Sequence, residues 1–300
     1  MASAYIAWYL FFAGAGAGAF AIASAVDFAL RLGPRPHLLK IAPITDIGMI
    51  IGPIMVVVGC VFLLLDLGDP SIAFNVFLRP SSILGFGLWA IALFCLFAVL
   101  SLAFGLMPHC RASKLIEPLL QFLAMVLSLV VILYSGVFYS LFPSVPFLNT
   151  PLVPALFTAS AFSSAAGLLV VVGFFRQTHE GVLEGMNGLS AIDAAIVVAE
   201  ALLLTVLLVR PVLFSESGAS LSSSALLFGG LSLPFWAGVI VVGCVIPLAV
   251  DLTCLVHPRP TVLCIGGISA LVGGVCVRFC ILMAASRFAI GFVAVQPFWA

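Results

Sequence analysis

Two carboxylates in one apolar segment have a spacing that suits proton transfer. Asp193 and Glu200 are seven residues apart, which places both on one face of a helix about two turns apart. Arg278 interrupts a second apolar stretch, residues 265–290. Charged groups in such surroundings pair with one another or carry function. Two interpretations stay open: a proton relay, or a structural arrangement in which Asp193 caps its helix after Ser190 and Glu200 pairs with Arg278.

A second set of polar residues falls at the ends of apolar segments. Tyr9 lies near the start of the first, Asp66 follows three leucines in the second, Tyr134 lies near the end of the fourth, and Asn149 lies in the loop after it. Aromatic belts at membrane interfaces account for tyrosines at such positions without a ligand. A few hydrogen-bonding groups among apolar helices also suit an amphiphilic redox ring such as a quinone.

The composition predicts a membrane protein. The 300 residues include 11 basic and 11 acidic side chains and are 64% hydrophobic, and the mean hydropathy is +1.36. Too little polar surface remains to cover a soluble domain of this size. A helix needs about 20 mostly apolar residues to cross a bilayer, and the sequence contains eight such runs. We place them near residues 5–29, 43–65, 82–106, 117–141, 152–175, 189–210, 233–255 and 262–290.

The predicted fold is therefore all-α: a polytopic bundle of eight transmembrane helices, arranged as two four-helix bundles. We expect a single integral membrane domain over residues 1–300, because the short loops leave no room for a soluble one. The first run lacks a basic segment before it, so we interpret it as a retained helix rather than a cleaved signal. The expected surroundings are lipid, and no nucleic-acid partner is expected.

Basic residues predict the orientation. Seven of the 11 basic residues follow the odd-numbered spans: Arg31, Arg35, Lys40, Arg111, Lys114, Arg176 and Arg259. The other face has Arg79, Arg210 and Arg287. The positive-inside rule then places the odd-numbered loops in the cytoplasm and both termini outside. Asp46 lies a few residues into the second span on the cytoplasmic side, where we group it with Asp193, Glu200 and Arg278 as polar interior.

Neither haem nor an iron–sulfur cluster is expected in this protein. The four histidines, His37, His109, His179 and His257, are predicted in connecting segments, whereas a membrane haem needs axial histidines at membrane depth. The eight cysteines show no CxxC spacing, and buried free cysteine behaves as a small hydrophobic residue. No metal site is predicted.

Several stretches resemble the NrfD/polysulfide-reductase family of membrane subunits. The resemblance depends on Asp-Leu-Gly-Asp-Pro at 66–70, Asn-Val-Phe-Leu-Arg-Pro-Ser-Ser at 75–82, Tyr-Ser-Gly-Val at 134–137 and Ser-Ala-Phe-Ser-Ser-Ala at 160–165. The most specific piece is Asn-Thr-Pro-Leu-Val-Pro at 149–154. The spacing of Asp193 and Glu200 and the pair Arg278-Phe279 also match. The resemblance covers essentially the whole sequence.

The resemblance implies a haem-free, eight-helix anchor in a prokaryotic inner membrane that reacts with menaquinol or ubiquinol. Such subunits anchor an electron-transfer subunit with several [4Fe-4S] clusters, which connects to a molybdopterin catalytic subunit. Tyr134 corresponds to the tyrosine that hydrogen-bonds the quinone near the outer surface. Tyr9 stands where some relatives have histidine, and a phenol with a reference pKa near 10 is a poor base; Asp66 would take the proton. The family's Asp-Leu-Gly-Arg-Pro has aspartate as its fourth residue here.

Two other functions remain as alternatives. A secondary transporter also carries intramembrane charges and glycine-interrupted helices, but the two halves of this sequence show no convincing repeat. A purely structural anchor would tolerate neutralisation of its acidic residues. The Gly14, Gly16 and Gly18 series indicates close helix packing rather than chemistry.

Overall fold

All regular structure in the described part of the protein is helical. The computed structural model describes residues 4–33, 35–68, 75–79, 82–106, 113–141, 145–176, 181–214 and 217–289. The helices are α1 (Ala4–Arg31), α2 (Pro36–Leu67), α3 (Ile83–Gly105), α4 (Ser113–Ser140), α5 (Leu152–Phe175), α6 (Val182–Leu213), α7 (Ser217–Leu227), α8 (Pro234–Val256) and α9 (Pro260–Ala289).

Eight of these helices, all except the short α7, are long and apolar enough to cross a membrane. This confirms the predicted all-α bundle of eight spanning helices. Two helices extend well beyond the predicted apolar runs, because α2 begins at Pro36 and α6 at Val182. Lys40 and Glu184 form an ion pair between these two extensions.

The long helices form two groups of four. In the first, α1 packs on α2 and α4, and α3 packs on α2 and α4; in the second, α5 packs on α6 and α9, and α8 packs on the same two helices. The groups meet mainly where α1 and α4 contact α5 and where α2 contacts α6. This arrangement agrees with the predicted pair of four-helix bundles.

Small residues in α1 let it pack closely on helices of both groups. A Cβ on Gly16 would lie 2.8 Å from the Met55 Cβ atom of α2, and a Cβ on Gly18 would lie 2.8 Å from the Ala165 Cβ atom of α5. A Cβ on Gly14 would lie 2.9 Å from a guanidinium nitrogen of Arg278. Glycine at these positions lets neighbouring helices approach closely, as the sequence predicted.

The first half of α8 is wound as a π-helix from Pro234 to Val245, and α-helical geometry follows from Ile246 to Val256. A π-helix of this length is rare, and π segments often occur at functional sites. Nothing in the sequence pattern predicted it. This half packs closely on α9, where a Cβ on Gly243 would lie 2.8 Å from the Gly273 Cα atom.

The bundle has two faces, which we name by position along the sequence. The N-terminal face holds the start of α1, the end of α2, the start of α3 and the end of α4; the opposite face holds their other ends. On the opposite face, the Arg31 guanidinium donates to the Asp27 carboxylate at 2.6 Å and to both Glu117 carboxylate oxygens at 2.6 and 3.0 Å. These bonds connect the end of α1 to the start of α4.

Candidate functional site

A cavity of about 180 Å³ opens near the N-terminal face between α1, α2, α3 and α4. It brings together Tyr9, Asp66 and Tyr134, three residues that the sequence predicts to form a quinone site. Most of the remaining lining is apolar, and its residues are Ile6, Leu10, Leu63, Leu67, Leu84, Gly87, Leu88, Ile91, Ser135, Phe138 and Tyr139. The cavity therefore offers a few hydrogen-bonding groups within apolar walls.

Tyr134 is positioned by helix α3. A Cβ on Gly87 would collide with the ring and hydroxyl of Tyr134, so the phenol lies directly against the α3 backbone. The start of α3 is fixed by Ser82, whose Oγ accepts a bond from the Gly85 backbone N–H at 2.9 Å. Capping of this kind satisfies an otherwise unpaired donor in the first helical turn. Phe86 and Phe138 flank the Tyr134 ring at centroid distances of 6.2 and 5.9 Å.

The segment before α3 is held against that helix. The Trp89 indole N–H donates to the Phe77 carbonyl oxygen at 3.0 Å. The Phe77 and Trp89 rings also stack at a centroid distance of 4.3 Å. These contacts hold Phe77 against the first turns of α3.

The remaining polar groups of the cavity differ in exposure. Tyr9 is 8% exposed, whereas Asp66 is half-buried at the end of α2. Tyr139 lies within electrostatic range of Asp66 and of Tyr9. Sequence reasoning did not include Tyr139 or Ser135 in the site. They follow Tyr134 by five residues and by one, so all three fall within about 140° of the helix circumference, and that spacing could have identified them.

Asn149 lies outside this cavity. It lines a separate small pocket with Thr150 and Arg210, where the Arg210 guanidinium donates to the Thr150 hydroxyl at 3.4 Å. Asn149 precedes α5 and Arg210 lies near the end of α6, so this pocket belongs to the second helix group. The structure does not bring Asn149 together with Tyr9, Asp66 and Tyr134.

Arg278, which is 1% exposed, lies on α9 where the two groups meet, between Ser160 of α5 and Gly14 of α1. Its guanidinium donates to the Gly274 carbonyl oxygen at 2.7 Å and to the Ser160 hydroxyl at 3.2 Å. The same Ser160 side chain hydrogen-bonds Glu200, which lies within electrostatic range of Arg278. Ser160 thus connects the buried cation to a buried anion, Glu200, which is 4% exposed.

Asp193 is also 4% exposed and hydrogen-bonds Ser163, one turn beyond Ser160 on α5. Because α6 begins at Val182, Asp193 lies about three turns into the helix. It does not cap the helix after Ser190, as one of the two interpretations supposed. Instead, the Ser190 hydroxyl donates to the carboxylate of Asp251 on α8.

Asp251 and Asp46 both differ from the sequence-based expectation. Asp251 was not proposed as a site residue, although a carboxylate inside the seventh apolar run is itself a signal of function; it is 4% exposed. Asp46 was grouped with the buried charges, but it is exposed on α2. It lies within electrostatic range of Asp27 and Arg176 near the opposite face, away from Arg278.

Aromatic side chains lie close to the buried charges and to the cavity. The Arg278 guanidinium carbon lies 5.8 Å from the Phe11 ring centroid and 6.0 Å from that of Phe157, within the range of cation–π attraction. The Phe157 ring also lies 6.4 Å from the ring of the cavity residue Tyr139. Phe157 is therefore close to both polar regions.

Histidine and cysteine side chains form no metal-binding cluster within the described ranges. There, no group of three or more His, Cys, Asp or Glu side chains is arranged to hold a metal ion. His37 lies in the first turn of α2 rather than in a loop, and it is exposed, as is His257. His109, His179, Asp69 and Cys110 lie outside the described residues.

The sequence matches a known family over nearly its whole length. The family model described as "Polysulphide reductase, NrfD" matches residues 3–290. The protein belongs to the NrfD family. Among NrfD-family relatives, the C subunit of polysulfide reductase from Wolinella succinogenes is 30% identical, over 94% of this sequence and 93% of that protein. Protein NrfD of Escherichia coli is 27% identical, over 93% of each sequence.

A third relative, the NrfD homolog of Haemophilus influenzae, is 25% identical over 93% of this sequence and 92% of that protein. The matches run across both helix groups rather than over one part of the sequence. With its eight apolar helices, this NrfD-family member is a multi-pass membrane protein.

Proposed function

We propose that this protein is the quinol-reactive membrane subunit of a respiratory oxidoreductase complex in a prokaryotic inner membrane. The observation that carries the proposal is the cavity in which Tyr9, Asp66 and Tyr134 meet among apolar side chains. Membership of a family named for polysulphide reductase supports it. The substrate would be menaquinol or ubiquinol, bound with its ring in the cavity and its isoprenoid tail in the lipid.

Oxidation of a quinol to a quinone releases two electrons and two protons. Tyr134, held in place by Gly87, would donate a hydrogen bond to one ring oxygen. Asp66 would accept a proton from a ring hydroxyl, since its half-buried position at the end of α2 gives it access to the N-terminal face. Tyr9 would support the ring, and the apolar walls would exclude bulk water.

The electrons would leave through a partner. In this proposal a subunit with [4Fe-4S] clusters docks on the N-terminal face and passes electrons to a molybdopterin-type catalytic subunit. Asn149 and Arg210 lie on that face beside the cavity's helices and are both exposed. Their place would be in the docking surface rather than against the quinol ring.

The buried charges would serve proton conduction. Asp193, Glu200 and Arg278 are buried, and the rings of Phe11 and Phe157 lie beside the Arg278 guanidinium. A proton that moves between this region and the cavity would have to pass these rings, through movement of a ring or through water. Asp46 would serve only at the opposite face, where it is exposed.

Quinone binding is the first test. A quinone analogue is titrated into the purified protein in liposomes while tyrosine and tryptophan fluorescence is recorded. Loss of one hydrogen bond costs about 0.5–1.5 kcal/mol, so Tyr134→Phe should weaken binding about twofold to tenfold, and Asp66→Asn should also weaken it. Tyr5→Phe is the matched control, because Tyr5 is 46% exposed on the same face and does not line the cavity. Equal binding by wild type and Tyr134→Phe would remove Tyr134 from the mechanism.

A second test separates a proton-coupled subunit from a structural anchor. Glu200→Gln keeps the size of the side chain and removes its charge. If the buried acids conduct protons, this variant slows quinol-dependent turnover or abolishes charge translocation in proteoliposomes. A structural anchor would assemble and transfer electrons at the wild-type rate with Gln at position 200.

A further inference from the structure

Two buried carboxylates in the second helix group have no cation among the groups that face them. Arg278 interacts with Glu200 and hydrogen-bonds Ser160. Asp193 faces two other acids, Asp251 and Glu200, and its described hydrogen-bond partner is the neutral Ser163. An ionised carboxylate without a partner is very costly in an apolar interior. The Asp193–Asp251 pair therefore needs a positive charge that the described side chains do not supply.

The two carboxylates lie close together. Ser190, whose hydroxyl donates to the Asp251 Oδ1 atom, is three residues before Asp193 on α6. Residues three apart lie on one face of a helix within one turn, so Ser190 and Asp193 share a face of α6, and Asp251 is within electrostatic range of Asp193. Both side chains are 4% exposed.

Unpaired oxygen atoms at the same place point to a ligand. The Oδ1 atom of Asp193 and the Oδ2 atom of Asp251 are fully buried, and neither has a hydrogen-bond partner in the described part of the protein. The Oδ1 atom of Asn187, one turn before Ser190, is also buried and without such a partner. Buried polar atoms are nearly always hydrogen-bonded, so three such oxygens on one stretch of α6 and α8 are unusual.

Charged groups on the neighbouring helices are engaged elsewhere. On α2, Lys40 pairs with Glu184 of α6, and Asp46 faces Asp27 and Arg176. On α9, Arg278 interacts with Glu200 and Ser160. Helix α5 presents the hydroxyl of Ser163 to the pair.

We propose that Asp193 and Asp251 form a buried proton-binding site that holds one proton between them. Binding converts one carboxylate to a carboxylic acid, whose O–H donates to an oxygen of the other carboxylate. Two like charges in one site cannot both persist, and a shared proton removes one of them. The hydroxyls of Ser190 and Ser163 stabilise the remaining negative charge.

A proton fits this site better than a divalent metal ion. Calcium and magnesium ions take six or more oxygen ligands in their usual sites. Within the described ranges, only two carboxylates meet here, and no third His, Cys, Asp or Glu side chain completes a metal-binding group. The site lies nearer the opposite face, because Asp251 is in the last turns of α8 before Val256. The pair would exchange protons with that face and supply protons to the region around Glu200.

Infrared spectroscopy tests this site without any quinol, so its outcome is independent of the proposed quinol chemistry. The full-length protein is reconstituted in liposomes, and the C=O stretch of protonated carboxyl groups is recorded through a pH titration. Wild type should show a protonated carboxyl at neutral pH that titrates in coupled steps. Asp193→Asn or Asp251→Asn should reduce this to one step, and the double variant should lose the signal.

The controls assign the signal to the pair. Glu184→Gln, at an exposed carboxylate, should keep it. Ser190→Ala should keep the signal but shift its frequency, because the hydrogen bond to Asp251 is lost; this variant tests the assignment even if the double variant does not fold. Absence of the signal in wild type, or its survival in a folded double variant, overturns the proposal. Loss of the signal on replacing K⁺ with Na⁺ at fixed pH overturns it in favour of a sodium site.

Discussion

Single side chains determine the shape of the cavity at the N-terminal face. The Tyr134 ring occupies the space that any side chain at residue 87 would need. Tyr9 and Asp66 reach the same space from α1 and α2. The position of the phenol thus depends on the absence of a single carbon atom on α3.

Gly87→Ala should therefore weaken quinone binding although it touches no polar group. Alanine favours a helix over glycine by about 0.5–1 kcal/mol, but its Cβ would force the Tyr134 ring away from α3. We expect a loss in affinity comparable with that of Tyr134→Phe. The matched control is Gly105→Ala at the other end of α3, where no atom lies within 4 Å of the added Cβ. Fluorescence titration with the quinone analogue compares them; equal affinities would mean that Tyr134 does not need its position against α3.

The sequence predicted which residues belong to polar sites better than it predicted which of them lie together in the structure. Tyr9, Asp66 and Tyr134 could be brought together because each lies at a helix end on the same side of the bilayer. Asn149 shares that side but lies in the second helix group. The depth of a residue in the membrane does not tell which helices meet at that depth. Asp251 could have been recognised as a carboxylate in an apolar run, but its partner could not, because Ser190 is 61 residues away in sequence and only the packing of α6 on α8 connects them.

At the scale of elements, helix α8 is the part that the sequence described least well. Its apolar run predicts a spanning helix, and a spanning helix is present. The π winding of its first half leaves no mark on hydrophobic composition. Gly243 of α8 and Gly273 of α9 meet backbone to backbone, which lets the π segment lie close to the helix that carries Arg278.

Gly273→Ala should destabilise the bundle. Its Cβ would lie 3.1 Å from the Gly243 backbone nitrogen and closer still to the Gly243 Cα; backbone atoms cannot move aside without shifting a helix. Overpacking of this kind costs about 1–3 kcal/mol. Thermal unfolding in detergent should therefore occur at a lower temperature than in wild type. Gly188→Ala serves as the control, since its nearest neighbour would be a flexible side-chain atom of Ile41 at 3.6 Å. Equal unfolding temperatures for the two variants would show that α8 and α9 can separate freely.

At the scale of the whole molecule, the remaining question is which face points outward. Ion pairs on the opposite face neutralise much of its charge, since Arg31 is bound by Asp27 and Glu117 and Lys40 by Glu184. The positive-inside rule counts basic residues rather than net charge, so these pairs do not change the prediction. The N-terminal face, and with it the cavity, should lie outside.

Cysteine labelling in intact cells tests this orientation with two matched positions. Leu78 and Leu32 are 77% and 85% exposed, the first on the N-terminal face and the second on the opposite face. In a Cys110→Ser background, a membrane-impermeant maleimide should label Leu78→Cys in intact cells and Leu32→Cys only after permeabilisation. The reverse pattern would place the cavity on the cytoplasmic side. Quinol oxidation there would release its protons into the cytoplasm. The Asp193–Asp251 pair would then exchange protons with the outside, so the direction of proton movement at both polar regions would be reversed.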